Sequence, residues 1–82
     1  MSDARGYSYA LVKAIHAADP KLLGVQLGRV CVDNDIPVAD VALKFDVTRQ
    51  TMYWWFTGVY KPKQKFVDEI QKMIESYKKD RV

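Results

Sequence analysis

Apolar residues recur along this chain at spacings of three and four, the period of an amphipathic helix, and nowhere with the strict alternation of a half-buried strand. Over residues 8 to 18, Leu11, Ala14, Ile15 and Ala18 share one face. Asp19-Pro20 next predicts a helix start, with Asp as cap and Pro at the first helical position, where its missing N–H costs nothing. That second helix runs to about Asp33, with Leu23, Leu27, Val30 and Cys31 inward, and Asn34-Asp35-Ile36-Pro37 ends it. Val38 to Phe45 is a third helix carrying Val38, Val41, Ala42 and Phe45 at i, i+3, i+4 and i+7. After the break at Asp46-Val47-Thr48, Thr48 caps a fourth helix from Arg49 to Thr57, and Gly58 is placed to stop it in a left-handed conformation. A last helix from about Lys63 to Lys79 puts Phe66, Ile70, Met73, Ile74 and Tyr77 on one stripe, a core face rather than a ligand box. The expected fold is all-α: one compact five-helix domain spanning 1–82, its first few residues and C-terminal tail flexible.

Composition narrows the classes. With 82 residues, the chain makes a single domain near the lower end of what buries a sufficient core unaided. Apolar residues at 49 % and charged ones at 28 % fit a globular chain rather than a disordered one. No apolar run approaches the roughly 18 residues of a membrane span. The opening Met1-Ser2-Asp3-Ala4-Arg5 has no apolar signal core, so a cytoplasmic location is expected. The single cysteine, Cys31, cannot form an internal disulfide and reads as a small core residue. His16 is the only histidine and reads as a surface residue, so no metal site is expected. Nor is there a nucleophile–base pair or a glycine-rich phosphate loop, and neither an enzyme, a cofactor nor a small-molecule ligand is expected.

Charge is unevenly spread. Lys44, Arg49, Lys61, Lys63 and Lys65 face a single Asp46 in the stretch 44–65, a local +4 in a chain whose total is +3. A short basic segment on a near-neutral body has the form of an electrostatic footprint for phosphate.

The stretch from Pro37 to Gly58, PVADVALKFDVTRQTMYWWFTG, joins two short helices by a tight break, with small Ala42 where they must approach and Val47 plugging the gap. It resembles the helix-turn-helix of phage repressor and Cro-type DNA-binding domains, with Val41, Ala42, Phe45, Val47, Thr48, Met52, Trp55 and Gly58 in register; with its neighbouring helices the resemblance covers about Leu22 to Lys79. The chain departs from the pattern in three ways. Asp46 stands where the family usually has Gly, and Asp tolerates a left-handed turn better than most residues. Pro37 and Val38 replace a polar pair that caps the first motif helix and helps hold a phosphate, so that contact does not carry over. Cys31 and Phe56 form an apolar pair where some members link Arg to Glu, a swap that is often neutral or stabilising.

A helical wheel at about 100° per residue sorts the fourth helix independently of the family. Thr48, Met52 and Trp55 share one side with Thr51 at its edge; Gln50, Tyr53 and Thr57 cluster opposite, flanked by Arg49 and Trp54. Outward Arg, Gln, Tyr and Trp suit a major groove, where Arg pairs with guanine, Gln with adenine, and aromatic edges meet thymine methyls or sugars. Arg49 and Gln50, then Tyr53 and Trp54, are therefore the expected base contacts, with Lys44, Thr48, Thr51, Lys61 and Lys63 on phosphates. The resemblance implies a small transcriptional regulator, repressor-like and phage-like, bound to double-stranded DNA as a homodimer and located at the nucleoid when bound. A competing expectation is a protein–protein module on the same fold, anchored by exposed Tyr53, Trp54 and Phe56. Salt separates the two, because phosphate contacts release counterions and an aromatic interface does not.

Overall fold

Two helix starts in this protein are capped by short polar side chains, and three stops fall at left-handed residues. The computed structural model describes residues 7–80, with side chains through Lys78. Five helices follow one another: α1 (Tyr9–Ala17), α2 (Leu23–Asp33), α3 (Val38–Phe45), α4 (Arg49–Thr57) and α5 (Gln64–Asp80). There is no strand among the described residues. The flexible ends expected from the sequence fall largely on 1–6 and 81–82, outside the described residues.

Ser8 starts α1 by accepting the Leu11 N–H at 3.2 Å, and Thr48 starts α4 by accepting the Thr51 N–H at 3.1 Å. Three helices stop on a residue with positive φ: α2 beside Asp35 (55°), α3 at Asp46 (57°) and α4 at Gly58 (79°). In each, the next N–H reaches back five residues to a carbonyl near the end of the helix. Ile36 donates to Cys31 at 2.9 Å, Val47 to Ala42 at 3.0 Å and Val59 to Trp54 at 2.9 Å. The break after α3 therefore survives with Asp in place of Gly, as expected.

One helix start differs. Asp19-Pro20 does not open α2, which begins at Leu23. The Asp19 carboxylate accepts the Lys21 N–H at 2.9 Å and its carbonyl accepts the Leu22 N–H at 3.1 Å. The aspartate is thus spent on a free-standing turn, and the first helical carbonyl is that of Leu22, bonded by the Gln26 N–H at 3.0 Å.

Packing centres on α2, which pairs most extensively with α4 and then with α5. Two glycines allow this. A Cβ at Gly24 would lie 2.5 Å from the Trp55 carbonyl oxygen, and one at Gly28 would lie 2.9 Å from Phe56 Cβ. The α4 backbone thus rests directly on α2, sending Trp55 and Phe56 into the core beside Met52, Leu27, Cys31 and Ile70, each at most 3 % exposed. Phe45 of α3 meets Trp55 edge-on at 6.0 Å, and Phe66 of α5 lies 5.1 Å from Trp55, so one aromatic group ties three helices. Helix α1 lies at the edge of this core and commits only Ile15 fully; Ala14, expected inward, is exposed, because α1 has neighbours on one narrow side.

Tyr7, ahead of α1, inserts into the core and stacks on Phe56 at 6.3 Å. Its hydroxyl faces the Cys31 thiol without completing a hydrogen bond to it. Burial, reinforced by that thiol, holds the phenol neutral far above its ordinary range. Burial likewise pushes the Cys31 thiol up to about 12, with the Tyr7 hydroxyl opposing only in part.

Two experiments test this account. Gly24→Ala is expected to lower unfolding free energy by about 1–3 kcal/mol or more, since the added methyl meets backbone, whereas Asp46→Gly relieves positive φ and should gain about 0.5–1 kcal/mol. Paired chemical denaturation curves check both signs; a stabilised Gly24→Ala would break the packing described. The second concerns pH. Because the folded-state pKa of Cys31 lies above that of the unfolded chain, its contribution is whole below about pH 9 and is lost as pH rises toward 12, and Tyr7 adds to the fall above pH 10. Melting temperature should therefore drop through this window, and more shallowly in Cys31→Ala; equal slopes would place the thiol outside the core.

Candidate nucleic-acid interface

The face that α4 leaves uncovered begins at its cap. Thr48, Arg49 and Gln50 are all exposed, and the first turn of α4 holds no acidic residue. Thr48 Oγ1 accepts the Thr51 N–H and lies 3.0 Å from Thr51 Oγ1. One of the two hydroxyls donates to the other, and the proton left over is available to a partner. The turn therefore presents a threonine hydroxyl pair, a guanidinium and a carboxamide around the positive end of a helix, all suited to anions and to base edges.

Further along α4 the outward set is smaller than the wheel predicts. Tyr53 is half-buried against the core rather than free, because Tyr7 arrives from the N-terminal segment and occupies that flank of the helix. The Thr57 hydroxyl is turned back to the Tyr53 carbonyl at 2.7 Å. Phe56, expected as an exposed protein-docking anchor, is wholly buried, seated on Gly28 of α2 and stacked on Tyr7. Cys31 and Phe56 are both wholly buried apolar positions. The Gly24-x-x-x-Gly28 spacing is the sequence signal for this burial, since it marks where a second backbone can approach.

Trp54 is 37 % exposed and meets the Tyr60 ring edge-on at 4.9 Å. The loop beyond Gly58 is drawn onto it, with the Val59 and Tyr60 N–H groups both directed at the Trp54 carbonyl, at 2.9 and 3.3 Å. Trp55, its neighbour, is buried as the wheel predicts.

The cations divide into two places. Lys61, Lys63 and Lys65 line a shallow groove of about 490 Å³ with Thr51, Trp54 and Tyr60, and Asp46 is its one acid. Lys44 lies elsewhere, in a depression of about 420 Å³ against Glu69, Lys72 and Tyr77 of α5. So Thr51, Trp54, Lys61 and Lys63 come together, Arg49 and Gln50 project at the start of the same helix, and Lys44 is not brought to either group. Tyr60 and Lys65 join the cluster without having been expected there. Lys65 was visible in the sequence as part of the basic stretch, whereas Tyr60 depends on the chain turning back at Gly58. Comparison with protein-family models, with curated proteins and with solved structures finds no match for this chain.

Proposed function

We propose that this chain is a sequence-specific, double-stranded DNA-binding domain of the helix-turn-helix kind, acting as a small transcriptional regulator at the nucleoid and binding as a homodimer. Helix α4 lies in the major groove and its first turn reads bases. The observation that carries this is that turn: three exposed polar residues at the positive end of a helix whose opposite face is locked into the core. Arg49 and Gln50 are the primary base contacts, with Tyr53 and Trp54 behind them, while Thr48, Thr51, Lys61 and Lys63 hold phosphates. Lys44 reaches the duplex only from the α5 side and contributes least. Two copies on half-sites about one helical turn apart supply the discrimination that one recognition helix cannot reach alone.

A protein-docking module is the second reading. The exposed Trp54, Val59 and Tyr60 favour it, and the burial of Phe56 removes one of its three anchors.

Selection of bound duplexes from a random pool tests the proposal: a recovered palindrome supports it, and the absence of any preferred sequence counts against it. Arg49→Ala or Gln50→Ala is expected to weaken binding to the selected duplex by about 1–3 kcal/mol and to leave a scrambled duplex almost unchanged. Titrations on both duplexes measure this. Equal losses would move these residues to the phosphate contacts, and binding indifferent to salt would point to a protein partner.

A further inference from the structure

Three lysines share the groove between α4, the 59–63 loop and the start of α5, and among the described residues none is held in an ion pair. Lys65 does no more than lie 5.1 Å over the neighbouring Phe66 ring. Three ammonium groups against one carboxylate leave the groove with a positive balance that attracts a polyanion. The wall between them is aromatic, and it is braced. Tyr60 abuts Trp54 edge-on, and two loop N–H groups converge on the Trp54 carbonyl. The Tyr60 ring covers one side of the Trp54 side chain and the loop is fixed to its backbone, so the exposed part of the indole faces the groove beside the lysines. It can present an apolar surface to a deoxyribose while the lysines beside it take the phosphates on either side.

Given DNA binding by α4, on which this rests, we propose that the groove seats one sugar–phosphate strand of the same duplex, with Trp54 and Tyr60 as a sequence-neutral wall and Lys65 as an anchor beside Lys61 and Lys63. Thr51 and Trp54 belong both to α4 and to the groove, so a strand bordering the major groove that α4 occupies runs directly into it. Asp46, at the α3 side, repels phosphate and favours a path toward the lysines. Trp54 thereby leaves the base-reading set, and sequence preference rests on Arg49 and Gln50 on the first turn of α4, with Tyr53 behind them.

The test uses the full chain with three probes of equal length: a duplex recovered by selection, a scrambled duplex and a single strand. Lys65→Gln and Tyr60→Ala are both at exposed positions, and each is expected to remain folded, which melting curves check before binding is measured. Both variants should weaken the two duplexes by the same factor and keep the preference between them. Lys65→Gln should also flatten the slope of log affinity against log salt by about one. Arg49→Ala, in contrast, should abolish most of the preference. The proposal is overturned if Tyr60→Ala or Trp54→Phe changes the preference, which makes the wall a base reader. Unchanged affinity and slope in Lys65→Gln overturn it too, since the groove then faces away from DNA. Tighter binding of the single strand, lost in Tyr60→Ala, overturns it in favour of a stacking platform. If the wild-type chain binds no duplex, DNA binding itself fails, an outcome separate from variants that bind as the wild type does.

Discussion

The seat of α4 on α2 is the constraint from which the rest of the structure follows. At Gly24 and Gly28 there is no room for a methyl, because the Trp55 carbonyl and the Phe56 side chain occupy that space. Close approach of two backbones fixes both the separation of the helices and the roll of α4 about its axis. With the roll fixed, Met52, Trp55 and Phe56 must point inward, and Phe45 and Phe66 close around Trp55 from the two neighbouring helices. The same roll puts Arg49 and Gln50 outside. Burial of the aromatic side chains, each worth about 1.5–3 kcal/mol in transfer terms, therefore also holds the exposed turn in place.

Helix ends in this chain carry strain that glycine would avoid. Two of the three left-handed stops are aspartates, at Asp35 and Asp46. Each gives up roughly 1 kcal/mol relative to Gly, softened because Asp tolerates this region better than most residues. At Asp46 the side chain borders the lysine groove, where it is the one acid. Glycine there would give an easier turn and a more uniformly positive groove. The aspartate instead gives the groove a polarity, positive toward α5 and negative toward α3.

Charge placement shows the same tension between folding and binding. Helix α5 opens with Lys65 one residue after Gln64, just after Lys61 and Lys63, and has no acid in its first turn. Acidic residues are the stabilising choice at a helix start and basic ones the unfavourable choice. Lysines gathered at that end forgo the stabilisation acids would give, which under the proposed DNA binding is the usual exchange of stability for function.

Much of this was legible in the residues alone, for reasons that are local. Helical periodicity placed α3 and α4, and the caps Thr48 and Gly58 set the bounds of α4, because both act within one turn of chain. The burial of Val38, Val41, Ala42, Phe45, Met52 and Trp55 followed from spacing, as did the exposure of Arg49 and Gln50. One miss was local: Asp19-Pro20, read as a helix start, closes a turn instead, because Asp19 captures the Lys21 and Leu22 N–H groups. The others depended on how separate segments meet. Tyr53 lost its freedom to Tyr7, a residue more than forty positions earlier that no helical wheel of α4 contains. Phe56 went inside because α2 offers a glycine there, and Tyr60 joined the lysines because the loop folds back on Trp54. Local sequence determined where each helix begins, ends and turns its apolar stripe; the approach of one backbone to another decided which side chains remained outside.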